Sequence, residues 1–226
     1  MKNYDKYINL LFENKLFFNI KKEEIKTILN CFDASIKAYE KKEVIIEEGS
    51  LVSEIGIILS GQIQISKTDI YGNVNIISEF FKNHIFAEII TASEMEESPV
   101  RVVAQEKTEI LFIKYNKITQ ICGNCNFHSQ IIKNMMKIIA LRNNELNKKI
   151  DIISRKTIRE KLLTYFQFEM KKQGRSDNKI KLSFTKTDLA DYICADRSAL
   201  SRELGRMKND GIIDISRNTI ILKNIN

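Results

Sequence analysis

Two short stretches hold the side chains best suited to chemistry. In the run CADRSALSREL, Asp196 is followed by Arg197, Ser198, Ser201 and Arg202. A guanidinium carries a permanent charge and five N–H donors in a fixed fork, and a hydroxyl both donates and accepts. Such a cluster suits a polyanion with paired acceptors. On a DNA duplex, arginine can offer two donors to guanine O6 and N7, and serine can contact base or phosphate. Thr185 and Lys186 upstream and Arg217 downstream add donors of the same kind. The second stretch, CGNCNFH, sets Cys122, Cys125 and His128 in a Cys-x2-Cys-x2-His arrangement. These groups can bind zinc or an iron–sulfur cluster, and a Cys-x2-Cys pair can cycle between dithiol and disulfide. A closed zinc site takes four ligands, however, and no fourth Cys or His lies nearby in sequence. Two small residues opening a helix, with His128 on its first turn, account for the same pattern.

The arginines need a rigid element, and the local sequence supplies one. Thr185-Lys186-Thr187-Asp188 fits a capping box, and Asp196 fits an N-cap for the next helix. Helices are predicted at about 186–193 and 197–209. In the second, Leu200, Leu204 and Met207 share the face that packs on Leu189 and Ile193, while Ser198, Ser201, Arg202 and Gly205 lie opposite. Two helices joined by a tight turn match a helix-turn-helix, whose second helix enters the major groove by its N-terminal residues. The runs IIDIS and TIIL, flanking Arg217-Asn218, read as a hairpin wing behind it.

Charge points the same way. Residues 151–226 carry 16 Lys and Arg against 10 Asp and Glu, a net of +6, whereas residues 1–150 carry 20 against 19. A basic excess confined to one segment favours a polyanion partner.

Upstream, residues 4–35 show helical spacing. From 36 to 115 come the β-branched runs VII (44–46), IGIIL (55–59), QIQIS (62–66), VNIIS (74–78), VRVVA (100–104) and EILFI (109–113), separated by turn signals. This pattern predicts an antiparallel sandwich or barrel. A helix is predicted over 126–153, where Ile132, Met136, Ile139, Asn143, Leu146, Ile150 and Ile153 step alternately by 4 and 3. That is a coiled-coil seam, and an Asn at an a position favours an in-register two-stranded pairing, so a homodimer is expected. Residues 157–172 read as a further helix and IKLSF as a strand.

With 226 residues, the chain is long enough for two domains. The longest apolar runs are far too short to span a bilayer, and the first residues lack a secretory pattern. A cytoplasmic protein with no membrane partner is expected, and its four cysteines give no reason to expect disulfides. There is no P-loop, GxSxG, HExxH or dinucleotide fingerprint, so no enzyme is expected. His84 reads as an ordinary loop or strand residue.

KTDLADYICADRSALSRELGRMKNDGII resembles the winged helix-turn-helix of the Crp/Fnr family of bacterial transcription regulators, whose DNA-reading pattern falls on Arg197, Ser198 and Arg202. VIIEEGSLVSEIGIILSGQIQI resembles the same family's cyclic-nucleotide-binding-like β-roll, with turn glycines at Gly49 and Gly61. The resemblance covers about 15–225 and implies an α+β protein. Its expected parts are an antiparallel, jelly-roll-like β-roll sensor domain (1–125), a dimerisation helix (126–153) and a winged helix-turn-helix (154–226). It implies double-stranded DNA and RNA polymerase as partners, and an effector pocket around Gly61, Glu88, Ile89, Ser98 and Pro99. Members that bind cyclic AMP hold its phosphate with a Gly-Glu pair and an Arg-Ser pair. Here Ala87 precedes Glu88, and Ser98-Pro99 replaces Arg-Ser, so the gripping guanidinium is missing. Cyclic AMP is therefore not expected, no other cofactor is indicated, and the effector is left open. Control through the thiols of Cys122 and Cys125 is the alternative. In the helix-turn-helix turn, Cys194 stands where the family usually has glycine, which predicts mild backbone strain.

Overall fold

A computed structural model of the chain describes residues 4–93, 95, 97–120, 127–173, 178–182, 185–216 and 219–223. It divides into two compact units, Met1–Ala140 and Leu141–Asn226. The division falls inside the long helix, α5 (His128–Ile153), which the sequence sets apart as a segment of its own. The physical reason is burial. Ile131, Met135 and Ile138 belong to the core of the first unit, whereas Ile152 belongs to the core of the second.

The first unit opens with short turns and the helices α1 (Ile8–Phe12) and α2 (Lys22–Cys31). Eight strands follow: β1 (Ser35–Tyr39), β2 (Val44–Ile46), β3 (Glu54–Ser60), β4 (Gln62–Thr68), β5 (Val74–Phe81), β6 (Ile85–Phe86), β7 (Arg101–Ala104) and β8 (Thr108–Lys114). The short helix α3 (Glu88–Ala92) interrupts them, and α4 (Tyr115–Thr119) leads toward α5. The strands form two four-stranded sheets, ordered β1-β8-β3-β6 and β2-β7-β4-β5, with every pairing antiparallel. One core lies between the sheets and joins Ile58, Phe86, Ile110 and Phe112 of the first to Ile46, Ile63 and Val102 of the second. A second core covers the other face of the first sheet: Ile55, Ile57, Leu59, Leu111 and Ile113 pack with Leu11, Ile25, Ile28, Leu29 and the start of α5. Burial on both faces explains why IGIIL is apolar without alternation. Gly61, at φ +86°, makes the β3–β4 turn, where a Cβ would overlap Thr108.

On α5, residues 131, 135 and 138 face the core, while Met136, Leu146 and Ile150 are exposed and Ile132, Ile139 and Ile153 are half-buried. The two sets are offset by one residue, about 100° around a helix. Ile132 and Ile139 also pack against the core of the first unit, so the apolar surface of the seam that α5 turns outward is that of Met136, Leu146 and Ile150.

The second unit contains α6 (Ile158–Gln173), β9 (Lys179–Lys181), α7 (Lys186–Tyr192), α8 (Arg197–Asn209), β10 (Ile213–Ser216) and β11 (Thr219–Leu222). Its sheet is antiparallel, ordered β10-β11-β9. One core unites Leu162 and Phe166 of α6, Leu189 of α7, Leu200, Leu204 and Met207 of α8, and Ile213, Ile220 and Leu222 of the hairpin. No helix among the described residues is long and apolar enough to cross a membrane.

Candidate nucleic-acid interface

Each helix of the second unit begins where its caps dictate. At α7 the Thr185 hydroxyl accepts from the Asp188 amide (3.2 Å), and the Asp188 carboxylate accepts from the Thr185 amide (3.0 Å). Asp196 caps α8 by accepting from the Ala199 amide at 2.8 Å. Hydrogen bonds from Thr185 hold the Asp188 carboxyl below the usual carboxylate range. Those from the Ser198 hydroxyl, and then from the Ala199 amide, do the same for Asp196.

These caps consume two of the hydroxyls assigned to DNA. Ser198 Oγ donates to Asp196 at 2.6 Å, and Thr185 Oγ1 donates to Asp188 at 2.7 Å. While capping, each keeps only acceptor capacity. Arg197, Ser201, Arg202 and Lys186 are exposed, and among the described residues no ion pair holds either arginine of the first two turns. Leu200, between them, is fully buried. The face of α8 away from the core therefore presents two guanidiniums and the Ser201 hydroxyl, with Gly205 one turn further on. Arg217 lies outside the described residues.

Two basic residues that sequence reasoning missed hold this helix in place. Arg159 of α6 pairs with Glu203 (2.6 Å) and Asp210 (2.7 Å) on and just behind α8. Lys161 donates to the carbonyls of Ile193 (3.1 Å) and Cys194 (3.3 Å), tying down the turn between α7 and α8. That turn is left-handed at Cys194, φ 52°, a conformation that disfavours a side chain with a Cβ.

The residues expected around an effector pocket are held by the following contacts. Ser98 is buried and committed: its amide donates to the Ser50 carbonyl (2.8 Å), its carbonyl accepts from the Gly49 amide (2.8 Å), and its hydroxyl donates to Val100 (2.7 Å). Ala87 precedes α3 with φ 63°, Glu88 is buried, and Ile89 is about half exposed. Pro99 is half-buried. Arg101 pairs outside with Glu47 at 2.9 Å and offers nothing to an interior phosphate. The Phe86 ring lies where a Cβ of Gly56 would stand and packs edge-on to Phe112, filling part of the roll interior. An open cleft of about 410 Å³ in the first unit is lined by Lys37, Tyr39, residues 44–47 and 50–54, and Phe112. None of the five assigned residues lines it.

An antiparallel roll backed by helices, a long helix and a capped helix-turn-helix with a hairpin wing define a class: a regulator with a sensor-type roll and a DNA-binding domain. Residues 36–125 match the cyclic nucleotide-binding domain family, and residues 160–226 match the Crp-like helix-turn-helix domain family. The chain belongs to the Crp/Fnr-type transcription regulators. The cyclic AMP receptor protein of Thermus thermophilus is 21% identical over 205 residues, which span 91% of this chain and 90% of that protein. The crystal structure of the Thermus thermophilus catabolite activator protein superposes with a TM-score of 0.52 at 17% identity, covering 93% of this chain and 94% of the other. CLP, a c-di-GMP-responsive global regulator from Xanthomonas campestris, gives 0.57 at 14% identity, covering 91% and 100%. At these identities the structural likenesses speak for the fold.

Proposed function

We propose that this chain acts as a homodimer that reads a palindromic operator through paired α8 helices, under an effector other than cyclic AMP. The observation that carries the DNA reading is the state of α8. Its core face is buried while Arg197 and Arg202 stand exposed and outside the ion pairs that engage Arg159 and Arg206. A helix entering the major groove uses its first turns for base edges, where those two arginines stand. The outward stripe of α5 supports self-association, with Asn143 exposed among the apolar side chains. A two-fold pair of recognition helices spaces half-sites about 34–36 Å apart, one turn of duplex. Selection from a random duplex library tests this: the reading requires an inverted repeat of that spacing, and recovery of no common sequence rejects it. On this reading the protein works in the cytoplasm and contacts RNA polymerase at its promoters.

The case against cyclic AMP rests on charge. From Ile85 to Glu106 the sequence holds one cation, Arg101, and five glutamates, Glu88, Glu94, Glu96, Glu97 and Glu106, three of them within 94–97, directly before Ser98 in sequence. Burying a phosphodiester beside carboxylates, with Arg101 engaged elsewhere, leaves its charge uncompensated. Cyclic AMP at 100 times a given dissociation constant would stabilise a binding fold by about 2.7 kcal/mol. An unchanged melting temperature is expected, and a rise at micromolar nucleotide refutes this part of the reading.

A further inference from the structure

Of the Cys-x2-Cys-x2-His stretch, Cys122 and Cys125 lie outside the described residues. His128 is buried at the start of α5, with Nδ1 3.1 Å from the Ile118 carbonyl oxygen and Nε2 3.8 Å from Cys31 Sγ, contacts that a neutral imidazole and thiol satisfy. Among the described residues no group of three or more Cys, His, Asp and Glu is placed to hold a metal ion. The wing of the second unit carries more.

In the sheet β10-β11-β9, Ile180, Ile213, Ile220 and Leu222 face the core. Alternation puts Lys179, Lys181, Asp214, Ser216, Thr219 and Ile221 on the outer face. The register aligns these six in two rows across the three strands. Lys181, Thr219 and Ser216 form one row, and Lys179, Ile221 and Asp214 form the other. Asp214, in the second row, is engaged by Lys208 at 3.1 Å and Lys223 at 3.4 Å. The first row has no acidic side chain. Lys181 and Ser216 are exposed and Thr219 is half-buried, and among the described residues none of the three side chains has an ion-pair or hydrogen-bond partner. The backbone of Lys181 is fixed by Gln173, whose side chain accepts from its amide (3.1 Å) and donates to its carbonyl (2.9 Å). The edge of β9 is thus closed at this residue without help from the lysine charge.

One ammonium and two hydroxyls in line suit phosphate oxygens. Lys, Ser and Thr are phosphate-contacting types, and a lysine on its flexible stem neutralises an anion without requiring the paired acceptors of a base. Strands about 4.8 Å apart make the row about 10 Å long, against one phosphate per roughly 3.4 Å of axis on each strand of a duplex, so the row reaches more than one phosphate. It stands at the end of the sheet where β10 turns into β11, and four residues connect Lys181 to the start of α7 at Lys186. In a helix-turn-helix that first helix crosses the backbone. We propose that Lys181, Thr219 and Ser216 form a phosphate-binding row that grips the duplex backbone beside the bases met by α8. The row fixes how α8 sits in the groove and carries no sequence information itself. This assignment rests on the DNA reading of α8 and extends it to a second surface.

The test measures equilibrium binding of parent and Lys181→Ala to the operator selected by the parent, over a series of salt concentrations. Lys181→Ala is expected to make the slope of log affinity against log salt shallower by about 0.9, the share of one phosphate, which amounts to about eightfold at 0.1 M salt relative to 1 M. The same factor is expected on every single-base variant of the operator. Ser216→Ala with Thr219→Ala removes no charge, so it should weaken binding roughly two- to tenfold per hydroxyl with the slope unchanged. Lys181 is exposed on an edge strand, and circular dichroism and melting temperature verify that the variant keeps the fold. An unchanged slope and affinity in Lys181→Ala overturns the proposal, and so does a loss confined to particular base pairs, which would put Lys181 on a base edge. A parent protein that binds no duplex at all overturns the DNA reading of α8 and the row with it, an outcome distinct from both.

Discussion

Replacing Leu146 by alanine addresses the outward stripe of α5. Leu146 is 56% exposed in the single chain, so more than half of its surface is available to a partner. Leu→Ala removes three carbons, worth about 2.4 kcal/mol at roughly 0.8 kcal/mol per buried carbon. Scaled to the 56% that only a partner would cover, the loss is about 1.3 kcal/mol per chain. A two-fold interface doubles it to about 2.7 kcal/mol, or roughly a hundredfold in dissociation constant. Sedimentation equilibrium on parent and variant measures that constant directly, and far-ultraviolet circular dichroism reports whether α5 persists. An unchanged constant with the helix intact would show that the stripe does not mediate pairing and would remove the basis for a two-fold operator.

Three further outcomes follow from the second unit. Leu200→Ala, at a fully buried position between the two arginines, should cost about 2–5 kcal/mol and abolish DNA binding through unfolding, as thermal denaturation would register. Cys194→Gly relieves a left-handed residue costing about 1–2 kcal/mol but adds about 0.5–1 kcal/mol of chain entropy, so denaturant titration should find it neutral to about 1 kcal/mol more stable. Asp188, Asp196 and Asp214 are all held below the usual carboxylate range by hydrogen bonds, with Lys208 the leading partner at Asp214. A lowered folded-state pKa gives stability that is present above about pH 4 and is lost as pH falls through the lowered values. Asp196→Asn, which keeps the cap acceptor but does not titrate, should therefore lose less stability than the parent on acidification.

The strands of the roll were legible where β-branched runs stood between turn residues, as at IGIIL and QIQIS. β1 was not singled out because SIKAY carries no such run, and β6 is only two residues long. The capping of α7 and α8 was legible because Thr185, Asp188 and Asp196 act on backbone within three residues. Its consequence was not: the same hydroxyls cannot donate to DNA while they donate to their caps. The α5 seam was visible as a period, whereas the buried face one residue away needed knowledge of what the helix packs on. Arg159 with Glu203, Lys161 with the Cys194 carbonyl, and Cys31 with His128 span 44, 33 and 97 residues, and no local rule connects them.

The central claim is that the first turns of α8 read bases, and base-by-base binding of Arg202→Ala tests it most directly. Equilibrium affinities of parent and variant are compared, at one fixed salt concentration, across every single substitution of the selected site. The account predicts a loss of roughly 1–3 kcal/mol on the preferred sequence, together with relaxed discrimination at one base pair of each half-site. A uniform loss across all sequences, with discrimination intact at every position, would place Arg202 on phosphate and contradict the account.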